Sequence, residues 1–237
     1  MEEIELIINK VNKSKFTKVI KLIIKQKIHF SWSAIFLLQY KRLYKIFKQI
    51  KKDKLDQKVY PKEENIFRIF RIDINNIKVV FLGQDPYIKY NQATGYAFCV
   101  PKNVPIPPSL ANIYKELNIE YPERNYKFED GDISSWVDKG IFLLNSALTV
   151  IEYKSNSHQY LWRVFINIII KYIDYYKDNI VFLLLGNNAI EKSKYIKKNK
   201  IVKGVHPSPL SANNGFFNSN IFKNIDKLLE ENIDWKL

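Results

Sequence analysis

Three short stretches of the chain bring together side chains with chemical potential. The run "VVFLGQDPY" ends with a carboxylate, a rigid bend and an aromatic ring in consecutive positions, Asp85, Pro86 and Tyr87. The run "GIFLLN" closes on Asn145, whose amide both accepts and donates hydrogen bonds. The stretch "HPSPLS" opens on His206 and follows it with Ser208, Leu210 and Ser211 among two prolines. Each has a plain structural reading when taken alone. Asp-Pro is a common way to turn at the end of a strand, asparagine caps helices and bonds to neighbouring loops, and a histidine before proline can be satisfied locally. Their meaning depends on whether one fold gathers them.

From residue 77 onward, short apolar runs rich in Val, Ile and Phe alternate with helical segments. The runs are "IKVVFLG" (77–83), "GYAFCV" (95–100), "GIFLLN" (140–145), "IVFLLLG" (180–186) and "KIVKGV" (200–205), all expected as strands. Helices are expected over 109–119, 159–177, 188–198 and 217–230, with Ser109 as an N-cap after "PIPP". Residues 1–60 read as amphipathic helices with a solvated lysine face. Strands that are apolar throughout, alternating with helices, indicate a mainly parallel sheet covered on both faces. Such sheets bind ligands beyond the carboxyl ends of their strands. The "GQDPY", "LLN" and "HPSPLS" clusters each follow or close one of these runs, so the topology can bring them to one edge.

Composition narrows the classes further. The 237 residues, 46% of them hydrophobic, suffice for a sizeable core, and with no Gly/Ser/Pro-rich linker the chain reads as one domain over 1–237. A single cysteine, Cys99, allows no intramolecular disulfide and no four-cysteine cluster, and three histidines supply a metal site poorly. Glu2, Glu3 and Glu5 stand where a secretory signal would want basic charge, and lysines interrupt every apolar run short of a membrane span. A soluble, cytoplasmic protein without membrane contact is expected. The formal net charge of +14 suits a nucleic-acid partner, although lysine, isoleucine, asparagine and tyrosine are all abundant and AT-rich codons alone would raise the lysine count.

In combination the motifs are specific. "GQDPY", "IPPSL", "LLN" and "HPSPLS", in this order, resemble those of the uracil-DNA glycosylase family, and the resemblance runs from about Tyr60-Pro61 to the closing "IDWKL", through "GYAF", "NIYKEL", "LNSALTV" and "NGFF". It is weak over residues 1–55. The expected fold is α/β, three layers with a central, mainly parallel four-stranded sheet flanked by helices. The resemblance implies a base-excision repair enzyme, without cofactor or metal, that flips uracil out of single- or double-stranded DNA and hydrolyses its glycosidic bond. It implies Asp85 and His206 as catalytic and Gln84, Tyr87, Phe98 and Asn145 as the uracil pocket. Phe98 would stack on the base, Asn145 would read its N3–H and O4, and the Tyr87 ring would exclude thymine's methyl group. Ser109, Asn187, Ser208 and Ser211 would hold DNA phosphates, and Leu210 would wedge into the duplex. A monomer, open to a DNA-mimicking protein inhibitor, belongs to the same implication.

The chain also departs from the family's pattern. Ile88, Lys89 and Tyr90 follow Tyr87 where a histidine and glycines are usual, Thr94 and Asn156 stand where histidines are common, Asn187 replaces a serine, and Asn214 replaces a frequent basic residue. Retained chemistry is expected, with a changed rate, salt sensitivity or DNA preference. A DNA-binding replication accessory protein on the same scaffold is the alternative, against which the paired Asp85 and His206 argue. A nucleotide-binding α/β enzyme lacks any G-x-G-x-x-G or Walker-type loop after a strand.

Overall fold

The computed structural model describes residues 13–237, with side chains from residue 17 onward. The helical material expected over residues 1–60 is found as α1 (Lys13–Lys25), α2 (Ser33–Leu38) and α3 (Tyr40–Asp53); positions 1–12 lie outside the described residues. In α3 the buried Tyr40, Leu43, Ile46 and Ile50 recur at three- and four-residue spacing, and lysines occupy the remaining face. The later helices are α4 (Pro108–Glu120), α5 (Ser135–Asp138), α6 (Gln159–Tyr176), α7 (Asn187–Ile190) and α8 (Ile221–Leu229).

Among the described residues six strands are formed: β1 (Val59–Tyr60), β2 (Val79–Gly83), β3 (Ile141–Asn145), β4 (Val150–Ile151), β5 (Val181–Leu185) and β6 (Lys200–Gly204). β1 and β4 make a short antiparallel pair, while the other four form one all-parallel sheet in the order β3-β2-β5-β6. Every residue of β2, β3 and β5 is buried, which is why their sequences do not alternate, whereas the edge strand β6 is partly exposed. Helices flank this sheet, giving the expected three-layer α/β/α arrangement.

Aromatic side chains fill the space between layers. Phe142 of β3 stacks on Trp32 and meets Phe70 edge-on, in a group that continues through Phe36, Phe67 and Phe165. Phe81 is one step along the register from Val80, the partner of Phe142, and therefore points to the opposite face, where it packs on Phe98. A second group, Tyr114, Trp136, Phe222 and Trp235, joins α4, α5 and α8 to the end of the chain, and the Trp136 indole donates to the Trp235 carbonyl at 2.8 Å.

Four expectations are corrected. "GYAFCV" is not a strand: Gly95 and Phe98 both take positive φ, +90° and +62°, which breaks an extended run, and a single bond from Ala97 N–H to Leu143 O ties it to β3. Ser109 is not an N-cap, because α4 begins one residue earlier with Pro107 as cap and Pro108 at its first position. The helix expected over 188–198 stops near Tyr195, since the Asp174 carboxylate draws in the backbone N–H groups of Lys197, Lys198 and Asn199. The last helix begins at Ile221 rather than 217, because Asn218 and Asn220 take positive φ and the Glu116 carboxylate accepts from the N–H groups of Asn218 and Ser219. In the last two cases a carboxylate more than twenty residues away decides the boundary, which local propensity does not register.

Candidate active site

At the carboxyl ends of the strands lies a cavity of about 260 Å³ lined by Gln84, Asp85, Tyr87, Phe98, Asn145 and His206, together with Gly83, Pro86, Ile88, Ser109 and Ser155. Register explains much of this. Gly83 and Asn145 are direct partners at the ends of β2 and β3. A Cβ at position 83 would lie 2.5 Å from Asn145 Oδ1 and 2.8 Å from Ala97 Cβ, so only glycine lets the amide settle there. Asn145 is 5% exposed, and its amide makes no hydrogen bond with the described residues. A buried amide left unpaired at a cavity wall is a group built to meet a ligand.

Asp85 sits where β2 gives way to the turn. Its Oδ2 accepts from the backbone N–H of Asn156 at 2.7 Å and from Ser155 Oγ at 3.0 Å, both in the loop between β4 and α6. Burial raises its pKa above the ordinary carboxylate range, and the two bonds pull the other way. Gln84 is bound to the same loop and to the start of α6, its side chain donating to Asn156 Oδ1 and its carbonyl accepting from Gln159. The loop is anchored from below by His158, 1% exposed, with Nδ1 2.7 Å from Thr149 Oγ1 and Nε2 3.2 Å from Asp53 of α3. Burial outweighs the pull of Asp53 and lowers the His158 pKa. The neutral ring fits a directed chain, from the Trp162 indole to Thr149, from Thr149 to His158 and from His158 to Asp53.

Tyr87 donates its hydroxyl to the Phe98 carbonyl at 3.1 Å, which holds the phenol ring at the cavity wall, and burial raises its pKa. Phe98 lies with its ring centroid 4.7 Å from that of Phe81 and 6.5 Å from that of His206. The positive φ at Phe98 is uncommon for a bulky residue, as at other sites where a side chain is aimed for a task.

His206 follows β6. Its Nδ1 accepts the backbone N–H of Ser208 at 3.1 Å, which puts the proton of the neutral ring on Nε2. Burial lowers its pKa, favouring that neutral form. Gly186, at φ +81°, passes so close behind the ring that a Cβ there would be 2.9 Å from His206 Cβ.

The remaining expected residues occupy the rim. Ser109 lies in the first turn of α4, whose leading N–H groups have no intrahelical partner, and it lines the main cavity. Asn187 lines an adjoining cavity with Gln84 and His206. Ser208 and Ser211 bond to one another at 2.9 Å, and Ser211 Oγ donates to the His206 carbonyl, so both hydroxyls are engaged within their own loop. Leu210 is 94% exposed at the loop's tip. Gly83 and Ser155 were missed by sequence reasoning. The register of two parallel strands could have pointed to Gly83, but nothing local singled out Ser155.

The family model "Uracil DNA glycosylase superfamily" matches residues 70–230. The chain belongs to that superfamily. A uracil-DNA glycosylase from Buchnera aphidicola subsp. Acyrthosiphon pisum is 44% identical over 217 residues, covering 87% of this chain and 98% of that one. One from Francisella tularensis subsp. novicida is 46% identical over 188 residues, covering 76% and 84%. Among solved structures, the mimivirus uracil-DNA glycosylase superposes with a TM-score of 0.71 at 26% identity over 98% of this chain and 89% of that one. A variant of the mimivirus enzyme in complex with UGI superposes with a TM-score of 0.80 at 28% identity, covering 88% and 89%. The matched segment spans the whole parallel sheet, from β2 to β6, and every residue lining the main cavity.

Proposed function

We propose that this protein is a monofunctional uracil-DNA glycosylase of base-excision repair. It hydrolyses the bond between uracil N1 and the deoxyribose, releasing free uracil and leaving an abasic site. One observation carries the reading: an acid, an amide and an imidazole from three separate strand ends line one cavity together with two aromatic rings. The cavity is smaller than the ~300–1,000 Å³ of drug-sized sites, which suits a single base.

A uracil within a duplex offers no access to its glycosidic bond, so the nucleotide must leave the stack and enter the pocket. There Phe98 supplies a face for the ring, a contact that does not distinguish one base from another. Discrimination falls to Asn145, whose amide oxygen accepts N3–H and whose NH₂ donates to O4. Cytosine presents the reverse pattern at both positions, and each buried group left unpaired costs roughly 1–3 kcal/mol. Thymine is refused by the Tyr87 ring, which its hydroxyl bond to Phe98 keeps from yielding.

As the bond breaks, its electron pair leaves with uracil, and the sugar becomes cation-like. Asp85 as a carboxylate stabilises that cation and orients the water whose oxygen adds to the sugar carbon and whose proton is released. His206 donates from Nε2 to uracil O2, where negative charge collects, and the Ser208 bond at Nδ1 is what aims that proton outward. Fixed dipoles of this kind need no rearrangement at the moment of reaction. At the rim, Ser109, Asn187, Ser208 and Ser211 take the flanking phosphates, and Leu210 fills the gap left in the stack. Because the Ser208 and Ser211 hydroxyls already bond within the loop, phosphate binding there requires them to rotate.

The test uses the purified chain and an oligonucleotide with one uracil, followed by alkali to cut abasic sites. Strand cleavage that depends on uracil is expected. An intact strand at high enzyme concentration would refute the reading.

A further inference from the structure

We propose that Ser155 is a positioning residue for the Asp85 carboxylate, its hydroxyl holding Oδ2 so that the other oxygen is presented to the reacting sugar and water. The inference rests on the hydrolytic reading of the same site and adds a residue to it.

The geometry is specific. Ser155 lines the cavity and is exposed to it, and its Oγ lies 3.0 Å from Asp85 Oδ2. The backbone N–H of the next residue, Asn156, reaches the same oxygen at 2.7 Å, so two adjacent donors converge on Oδ2 and leave Oδ1 without a bond from this loop. A carboxylate fixed through one oxygen keeps the other in a defined direction, which is what orienting a water requires. The neighbouring position that could share this work is apolar: Ile88 lines the cavity beside Asp85 and offers no donor or acceptor from its side chain. Ser155 is thus the side chain of the described residues that hydrogen-bonds the acid. Its oxygen also keeps lone pairs free to accept from the water.

The loop is built to hold that hydroxyl in place. Ser157 Oγ accepts from Ile151 N–H at 2.8 Å, Asn156 Oδ1 accepts from Gln84, and Tyr153 N–H donates to the Ile88 carbonyl at 3.0 Å. The loop therefore bonds both to the turn that carries Asp85 and to the β4 end. Other ionisable groups nearby are turned elsewhere. Lys154 donates to Gln57, Glu152 accepts from Tyr60, and the remaining ionisable groups of the cavity wall are Tyr87 and His206. Burial raises the Asp85 pKa and the Ser155 bond opposes that rise, so removing the hydroxyl should move the acid's titration upward.

The experiment compares the full chain with Ser155→Ala and Ser155→Thr on a single-stranded uracil oligonucleotide, measuring kcat and KM from acidic to mildly basic pH. Ser155→Ala is expected to lower kcat about tenfold with KM within about twofold, and to shift the acid limb of kcat upward by about 0.5–1 pH unit. Ser155→Thr, which keeps a hydroxyl, should return both towards the parent values. A carbon-13 titration of the Asp85 carboxylate reads the same coupling without turnover and should show the same upward shift. An active parent chain with Ser155→Ala matching it in kcat and acid limb would overturn this inference alone. An inactive parent chain would overturn the hydrolytic reading and this inference with it.

Discussion

The cavity wall and the cavity rim are built on opposite principles. Gly83, Asn145 and the turn at Asp85 sit on the ends of buried parallel strands, where hydrogen bonding and packing leave each side chain one position. The 206–211 stretch leaves the edge strand β6, and within six residues it passes from a half-buried imidazole to a leucine that is almost wholly in solvent. On the proposed reading the wall discriminates between bases at the scale of single hydrogen bonds, while the exposed rim meets the DNA strand. On that reading the wall, with His206 where it joins the rim, carries the chemistry, and the exposed tip of the rim handles DNA.

Changes to the two regions should differ in size and in kind. The largest effect is expected from Asp85→Asn, which keeps the shape and removes the charge: kcat should fall roughly 10²–10³-fold with binding of uracil-containing DNA retained, measured by single-turnover kinetics and anisotropy. In the parent chain, activity should be lost on acidification as Asp85 takes up its proton. Its raised pKa brings that loss in at higher pH than an ordinary aspartate would, whereas the lowered pKa of His206 keeps the imidazole neutral over the same approach. Next comes Gly83→Ala, whose new methyl group must displace the Asn145 amide or Ala97. A loss of about 10²-fold in kcat/KM and a destabilisation of about 1–3 kcal/mol by thermal melting are expected.

Leu210→Ala should matter less, and only on duplexes. Burying a leucine side chain in a stack is worth about 1.5–3 kcal/mol, so a loss of roughly ten- to hundredfold on double-stranded DNA is expected, with single-stranded DNA nearly unaffected. The smallest change belongs to Ser208→Ala, a few-fold rise in KM that high salt masks. If Leu210→Ala hurt single strands as badly as Gly83→Ala does, the division between wall and rim would fail.

The same division governs what could be read in advance. β2, β3 and β5 were legible because burial on both faces leaves long apolar runs, and the polar groups at their ends followed from topology. The strand expected over "GYAFCV" fails at Phe98 because an apolar sequence does not reveal a positive φ. The starts and stops of the later helices depended on Glu116 and Asp174, carboxylates distant in sequence that capture backbone N–H groups. Gly83 escaped notice because its role is the absence of a side chain beneath Asn145. Ser155 escaped it because a serine in a polar loop carries no signal until the loop is folded against Asp85.

The contact between Asp53 and His158 has a bearing on the first helices, whose purpose the motifs leave unspoken. A shortened chain starting after residue 55 would still spell out every motif, yet it would strip a buried imidazole of its acceptor and unfasten the strap that bonds to Asp85. Such a fragment is expected to be a poor catalyst for a reason lying far from the chemistry, since it would lose that carboxylate together with Trp32 and Phe36, which pack on the sheet-side core.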